Sequence, residues 1–303
     1  MANFLDRIPY SERQIPVEIA EEYLSVSPDF LQLEGLCFDE EANLYFCDVF
    51  QGGIWRVERG TRVAKRILSL KGRNPAAIKS GPDHQLYVAC LGDFHSTGSL
   101  ERIDPISLTR QTIISSASGY VIDDLAFRHD GRFYFSNFIG GATDRSGGIF
   151  LSSLDGKDIR RVCGFLGVPN GLSLTSDERS LWVTEMGTNT LHFLELEQDG
   201  LTISDYGDLT PYTFTGLNGP DSCTLDKDGN LYVAIYQQGR VLCFSPAGIP
   251  VKQILLPDSW NGAFLRSTHP KIIPGTDTLL ICSNDFQGGR GSAIFSAKAL
   301  AEG

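Results

Sequence analysis

Glu34, Asp123, Asn170 and Asp221 each stand near the start of an apolar, strand-like run, and Asn74 and Thr268 open two further runs of the same kind. Successive members of the series Glu34, Asn74, Asp123, Asn170, Asp221, Thr268 are 40, 49, 47, 51 and 47 residues apart. Residues at equivalent positions of a closed repeat converge in space, so this spacing would gather three acids and an amide at one end of a channel. Carboxylates brought that close cannot all stay ionised without a compensating charge, and a bound cation supplies it. An all-oxygen donor set, with no His pair and no thiolate, favours hard Ca2+, with Mg2+ or Mn2+ next and Zn2+ disfavoured. Strand-end capping is the ordinary use of a lone Asp or Asn, but four at one repeat position argue for a shared purpose. The histidines show no metal-binding spacing. Of the five, only His269, directly after Thr268, is placed to contact a substrate. There is no G-x-S-x-G elbow for a serine nucleophile. The GGRGS stretch from Gly288 reads as a glycine turn.

The elements that must position these residues follow from the same period. Each unit reads as an apolar start, an Asp or Gly turn, a β-rich strand, a short loop and another strand, as in LEGLCFDEEANLYFCDVFQGGIWRV from Leu33 and IDDLAFRHDGRFYFSNFIGG from Ile122. A period of 40 to 51 residues is that of a four-stranded propeller blade, so the chain is expected to be an all-β, six-bladed β-propeller, one domain over residues 1–303. Turns at Asp39 to Asn43, Asp130-Gly131, Asp177 to Arg179 and Asp228-Gly229 read as hairpin turns with structural aspartates. The last unit ends near Ala299 with little chain left, so the run VEIAEEYLSV from Val17 is expected to supply the last blade's outer strand and close the ring.

A net charge of -11, with no basic cluster, argues against a nucleic-acid partner. The opening residues lack the apolar run of a leader, and no stretch reaches membrane-spanning length. Seven cysteines without a C-x-x-C pair suit a reducing compartment, so the expected location is the cytoplasm, and six of them fall in apolar strand segments as small buried hydrophobes. Oligomeric state is not legible in the sequence.

With these residues in hand, the chain resembles the senescence marker protein, gluconolactonase and luciferin-regenerating family of six-bladed propellers. The likeness covers nearly the whole chain after the first thirty residues. It is densest in LEGL, CLGDFHSTG, IDDLAF, PNGLSLTSDERSLWVTE, TGLNGPDSC, NLYVAIYQQGRVL, LRSTHP and ICSND. It implies a calcium-dependent lactonase in which Glu34, Asp123, Asn170 and Asp221 hold the metal, Ser222 lies close to it, and Asp221 transfers the proton. It also implies counterparts of a second, structural calcium site at Ser96, Gly98, Ser118 and Tyr120. Ser115 stands where a relative supplies an aspartate, which weakens that site. The substrate is expected to be a small lactone chosen by loops 50–53, 138–148, 236–239 and 286–290, whose aromatics and glycines suit aromatic or alkyl rings. Two rival readings are a phosphotriester or fluorophosphate hydrolase of similar architecture, and a non-catalytic scaffold.

Overall fold

The computed structural model describes residues 4–303; Met1 to Asn3, part of the opening stretch read for a leader and of the 1–303 domain, lie outside the described residues. Six sheets, antiparallel except for one added edge strand, make the chain a six-bladed β-propeller. The innermost strands, in order, are Leu33–Phe38, Pro75–Ser80, Ile122–Phe127, Pro169–Leu174, Pro220–Leu225 and Pro270–Ile272. Each touches the next, and the sixth touches the first, which closes the ring. The described residues contain short 3-10 turns and no α-helix, so no helix is long and apolar enough to cross a membrane.

Apolar burial drives this arrangement. The second strands Leu44–Asp48, Leu86–Cys90, Phe133–Asn137 and Leu231–Ile235 are buried along their whole length. A strand covered on both faces reads as a continuous hydrophobic run. The core lies between blades: Tyr45, Ile54, Ile78 and Val88 pack blade 1 on blade 2, and Phe46, Leu33, Leu280 and Ile294 pack blade 6 on blade 1. All seven cysteines are free thiols, and the six expected in strands are buried. Three of the expected turn aspartates are structural, and in the fourth turn Asp226, not Asp228, accepts the Asn230 N–H. Asp39 Oδ1 accepts the Asn43 N–H, Asp130 Oδ1 that of Arg132, and Asp177 Oδ1 that of Arg179.

Ring closure differs in one respect from the sequence expectation. Glu21–Ser27 pairs antiparallel with Gly291–Lys298 and is the outer strand of blade 6. The run breaks at Ala20, however, and Val17–Ile19 runs parallel to Pro250–Leu255 as a fifth strand on blade 5. The segment before it docks through Glu12, which is 1% exposed, pairs with Arg240 and accepts the Tyr212 hydroxyl at 2.6 Å. The N-terminal segment therefore fastens two blades.

Candidate active site in the central channel

Pairing register defines which residues share a level in the channel. Counting back four residues from Phe38, Ser80, Phe127, Leu174, Leu225 and Ile272, each the last residue of its strand and paired with the second strand, gives Glu34, Ala76, Asp123, Asn170, Asp221 and Thr268. Blade 2 therefore contributes Ala76 to the ring. Asn74 lies two residues earlier, in a left-handed turn (φ 51°), with its amide donating to the Gly92 carbonyl at 2.7 Å. Thr268 holds the expected level, but its hydroxyl donates to the Leu33 carbonyl at 2.7 Å and ties blade 6 to blade 1.

The remaining four are buried polar side chains at one end of the channel: Glu34 7%, Asp123 5%, Asn170 2% and Asp221 4% exposed. Close approach of the strands makes this possible. Gly171 follows Asn170, and a Cβ there would lie 2.7 Å from Ser222 Cα, so a larger residue would force blades 4 and 5 apart. Gly35 follows Glu34 at φ 68°, where a Cβ would stand 2.8 Å from the Ile78 nitrogen. With the strands this close, Asn170 Nδ2 donates to Asp221 Oδ1 at 2.8 Å. Thr184 Oγ1 donates to the Asp221 carbonyl at 2.6 Å and accepts the Gly171 N–H at 2.8 Å, which fixes the backbone of both.

Electrostatically the group is unbalanced. Burial, then Asp221 and Asp123, pushes Glu34 well above the usual carboxylate range. Burial, then Asp221 and Asp124, does the same to Asp123, against the pull of Lys79. Asp221 is pushed up to about 8 by burial, against the hydrogen bonds from Asn170 and the Ser222 N–H. Glu34 Oε2, Asn170 Oδ1 and Ser222 Oγ are buried without a hydrogen-bond partner. Among the described residues the one basic side chain within 4 Å of these carboxylate oxygens is His269, with Nδ1 3.6 Å from Glu34 Oε2, and no three His, Cys, Asp or Glu side chains close on one point as a preformed metal cage.

His269 is fully buried, one register step below the carboxylates beside Ser222, rather than at the channel mouth. Both ring nitrogens lack a hydrogen-bond partner, and burial drives its pKa well below 6.5, so the ring is neutral. At this same level lies a feature that the spacing did not signal. Asp124, the neighbour of Asp123, is fully buried and pairs with Lys79 Nζ at 2.8 Å across blades 2 and 3.

Turns joining the second and third strands stand at the carboxylate end, since Leu33 pairs with Asp48 and the turn to Gly53 follows. Arg266 lies here with its guanidinium 4.2 Å from the Phe286 ring centroid, 5.2 Å from Phe30 and 5.8 Å from Tyr236. Burial pushes the Tyr236 phenol up to about 12, Arg266 pulls it down, and Asp221 and Glu34 add to the rise, so Tyr236 stands within electrostatic reach of the carboxylates. Arg266 was not singled out in the sequence because its partners come from loops far apart along the chain.

Loop 138–148 is fixed by Glu185. Its two carboxylate oxygens each accept from Arg145 at 2.9 Å, and it also accepts the Gly167 N–H at 2.6 Å and contacts His192 Nε2 at 2.7 Å. Burial would raise the Glu185 pKa, but the bonds from His192, Gly167 and Thr188 hold it at about 2. A depressed carboxylate pKa stabilises the fold above the unfolded value and loses that contribution as pH falls through the folded one. Glu185→Gln is therefore expected to cost about 2 kcal/mol at neutral pH, the scale of a charge-assisted hydrogen bond. In urea unfolding, the gap between variant and wild-type midpoints should narrow as pH is lowered toward about 2. A gap that stays constant over that range would contradict this role.

Of the residues expected at the second site, two from separate segments of the chain are shown in contact. Gly98 lies against Tyr120, with a Cβ 2.6 Å from the Tyr120 carbonyl oxygen. Ser96 donates its N–H to Asp93, Ser118 Oγ accepts the Tyr120 N–H at 3.4 Å, and Ser115 caps the turn that follows it. Three backbone N–H groups occupy the Asp93 carboxylate, the neighbouring acid, and hold its pKa low.

Against known proteins, the family described as SMP-30/gluconolactonase/LRE-like region matches residues 33–265. A protein named lactonase drp35 from Staphylococcus saprophyticus is 46% identical over 302 residues, covering 99% of this chain and 93% of that protein. One of the same name from Staphylococcus aureus USA300 is 45% identical, covering 97% and 91%. Among solved structures, regucalcin from Agrobacterium tumefaciens, described as a calcium-binding protein, superposes with a TM-score of 0.76 at 16% identity over 95% of this chain and 98% of that one. A gluconolactonase from Xanthomonas campestris does so at 0.71 and 14%, over 93% and 95%.

Proposed function

The chain belongs to the SMP-30/gluconolactonase/LRE-like family, and from that premise we propose that it is a calcium-dependent lactonase that opens a small lactone by water attack at the carboxylate end of the channel. The observation that carries this reading is the group of three buried, mutually repelling carboxylates with orphaned oxygens beside them. A scaffold would have no use for such a group, which costs stability unless it is compensated.

Glu34, Asn170 and Asp221 would hold the cation, with Asp123 and Ser222 completing an all-oxygen set that fits Ca2+, or Mg2+ or Mn2+, better than Zn2+. When bound, the cation would supply Lewis-acid polarisation of the lactone carbonyl and charge to balance the oxyanion. Asp221 acts on the water. Asn170 and Thr184 fix its placement, and the carboxylate oxygen not bonded to Asn170 is left to take the proton as the water oxygen bonds to the carbonyl carbon. The same proton is returned to the ring oxygen as the ester C–O bond breaks, which leaves a hydroxy acid. His269 lies buried beside Glu34, 3.6 Å from it with no hydrogen bond between them. Tyr236, Phe286 and Phe30 around Arg266 give the mouth flat apolar faces suited to an aromatic or alkyl lactone. Seven free thiols suit the cytoplasm as the place of action.

Hydrolysis of aromatic, aliphatic and sugar-derived lactones by chelator-stripped protein, before and after adding back Ca2+, Mg2+, Mn2+ or Zn2+, tests the proposal. The expected result is loss of activity on chelation and its return with calcium, on aromatic or alkyl substrates first. Folded protein inert with every metal would overturn it. Turnover of a phosphotriester alone would shift the reaction to the rival class.

A further inference from the structure

The opposite end of the channel carries an imbalance of the other sign. One residue before the end of each inner strand, register places Cys37, Lys79, Ala126, Ser173, Thr224 and Lys271 on one level. All six line a cavity of about 400 Å³. Lys79 is satisfied by Asp124, whose other oxygen is already taken by the Leu172 N–H at 2.9 Å. Among the described residues the Lys271 ammonium has neither an ion-pair nor a hydrogen-bond partner. Burial and the Lys79 charge press its pKa down, as they do for a cation that lacks an anion. Asp124, already bonded to Lys79, is the one carboxylate that acts on it, and Glu34, Asp123 and Asp221 at the other end do not. Lys79 and Lys271 therefore line one open-mouthed pocket, the single carboxylate nearby, Asp124, is bonded to Lys79, and Lys271 has no anionic partner of its own.

We propose that this cavity is a second ligand site that takes a small organic monoanion, a carboxylate carried on an apolar body. The carboxylate sits against Lys271 and beside the Lys79–Asp124 pair, and the body lies on the rim formed by Phe38, Phe127, Leu174 and Leu225. The charge count selects a monoanion, because one excess cation matches one carboxylate and a doubly charged phosphate would leave a surplus of the opposite sign. The apolar rim selects an organic body over a bare inorganic ion, which would leave those side chains facing water.

The test uses 4-bromobenzoate as the probe. Calorimetric titration of the full chain should show binding that falls tenfold or more in Lys271→Met and is kept in Lys271→Arg. Methionine matches the length of the lysine stem and removes the repulsion on Lys79, so that variant is expected to fold. Should it fail to fold, crystals grown of the wild type and soaked with the probe decide the matter: anomalous bromine density in the cavity beside Lys271 supports the site. Equal affinity in a folded Lys271→Met, no binding to the wild type, or bromine density only at the carboxylate end would each overturn it.

Discussion

Asp221→Asn is expected to lower lactone turnover by about 10²–10⁴-fold while making the metal-free protein more stable. The two effects have one cause. Asp221 is the carboxylate that both Glu34 and Asp123 feel as a repelling neighbour, and it is buried at a site that penalises its charge. Asparagine keeps an oxygen for the Asn170 amide to donate to, so the contact at 2.8 Å survives and the fold loses little. What disappears is the group that takes the proton and one of the anionic ligands. Thermal unfolding in chelator should show a higher midpoint for the variant than for the wild type. Calcium should then raise the wild-type midpoint strongly and the variant's hardly at all. Near-normal turnover in the variant would remove Asp221 from the mechanism. A lower midpoint in chelator would show that its charge is balanced by something other than a cation.

The ring of blades was legible because a period of 40 to 51 residues and the turn aspartates both survive as sequence pattern. The carboxylates were legible for a related reason: Glu34, Asp123, Asn170 and Asp221 occur at one register position, and that position faces the channel in every blade. Blade 2 misled the reading because its channel residue is Ala76, which carries no chemistry, while a polar Asn74 lies two residues away in a left-handed turn. Type alone could not separate them, because the distinction rests on the sign of φ. Lys79 and Asp124 were missed for another reason. They lie 45 residues apart on neighbouring blades, each beside a more conspicuous run, and only the packing of blade 2 on blade 3 pairs them. Likewise the break at Ala20, which sends Val17–Ile19 to blade 5, depends on where the edge of that sheet ends. In each case the residue types were visible and the tertiary geometry that gives them meaning was not.

Chelator-stripped protein is expected to lose stability as pH rises from 3.8 toward about 8, the interval between the ordinary and folded-state values for Asp221. The sign follows from proton counting. A carboxylate whose pKa is raised by folding keeps its proton in the native state where the unfolded chain has released it, so the native state binds more protons and stability falls with pH across that window. Glu34 and Asp123 are shifted in the same direction by burial and by Asp221, and add to the loss. The combined effect should reach several kcal/mol, enough to dominate the pH dependence of a domain whose net stability is only about 5–15 kcal/mol. A cation held by these oxygens reverses the balance, because it favours the ionised carboxylates. Calcium should therefore raise the unfolding midpoint little at the acid end of the window and most near its upper end. Urea midpoints measured across the window, with and without calcium, separate the alternatives. A flat profile in chelator would mean that the carboxylates are not held protonated by burial. An equal calcium effect at every pH would mean that the ion binds somewhere other than the channel.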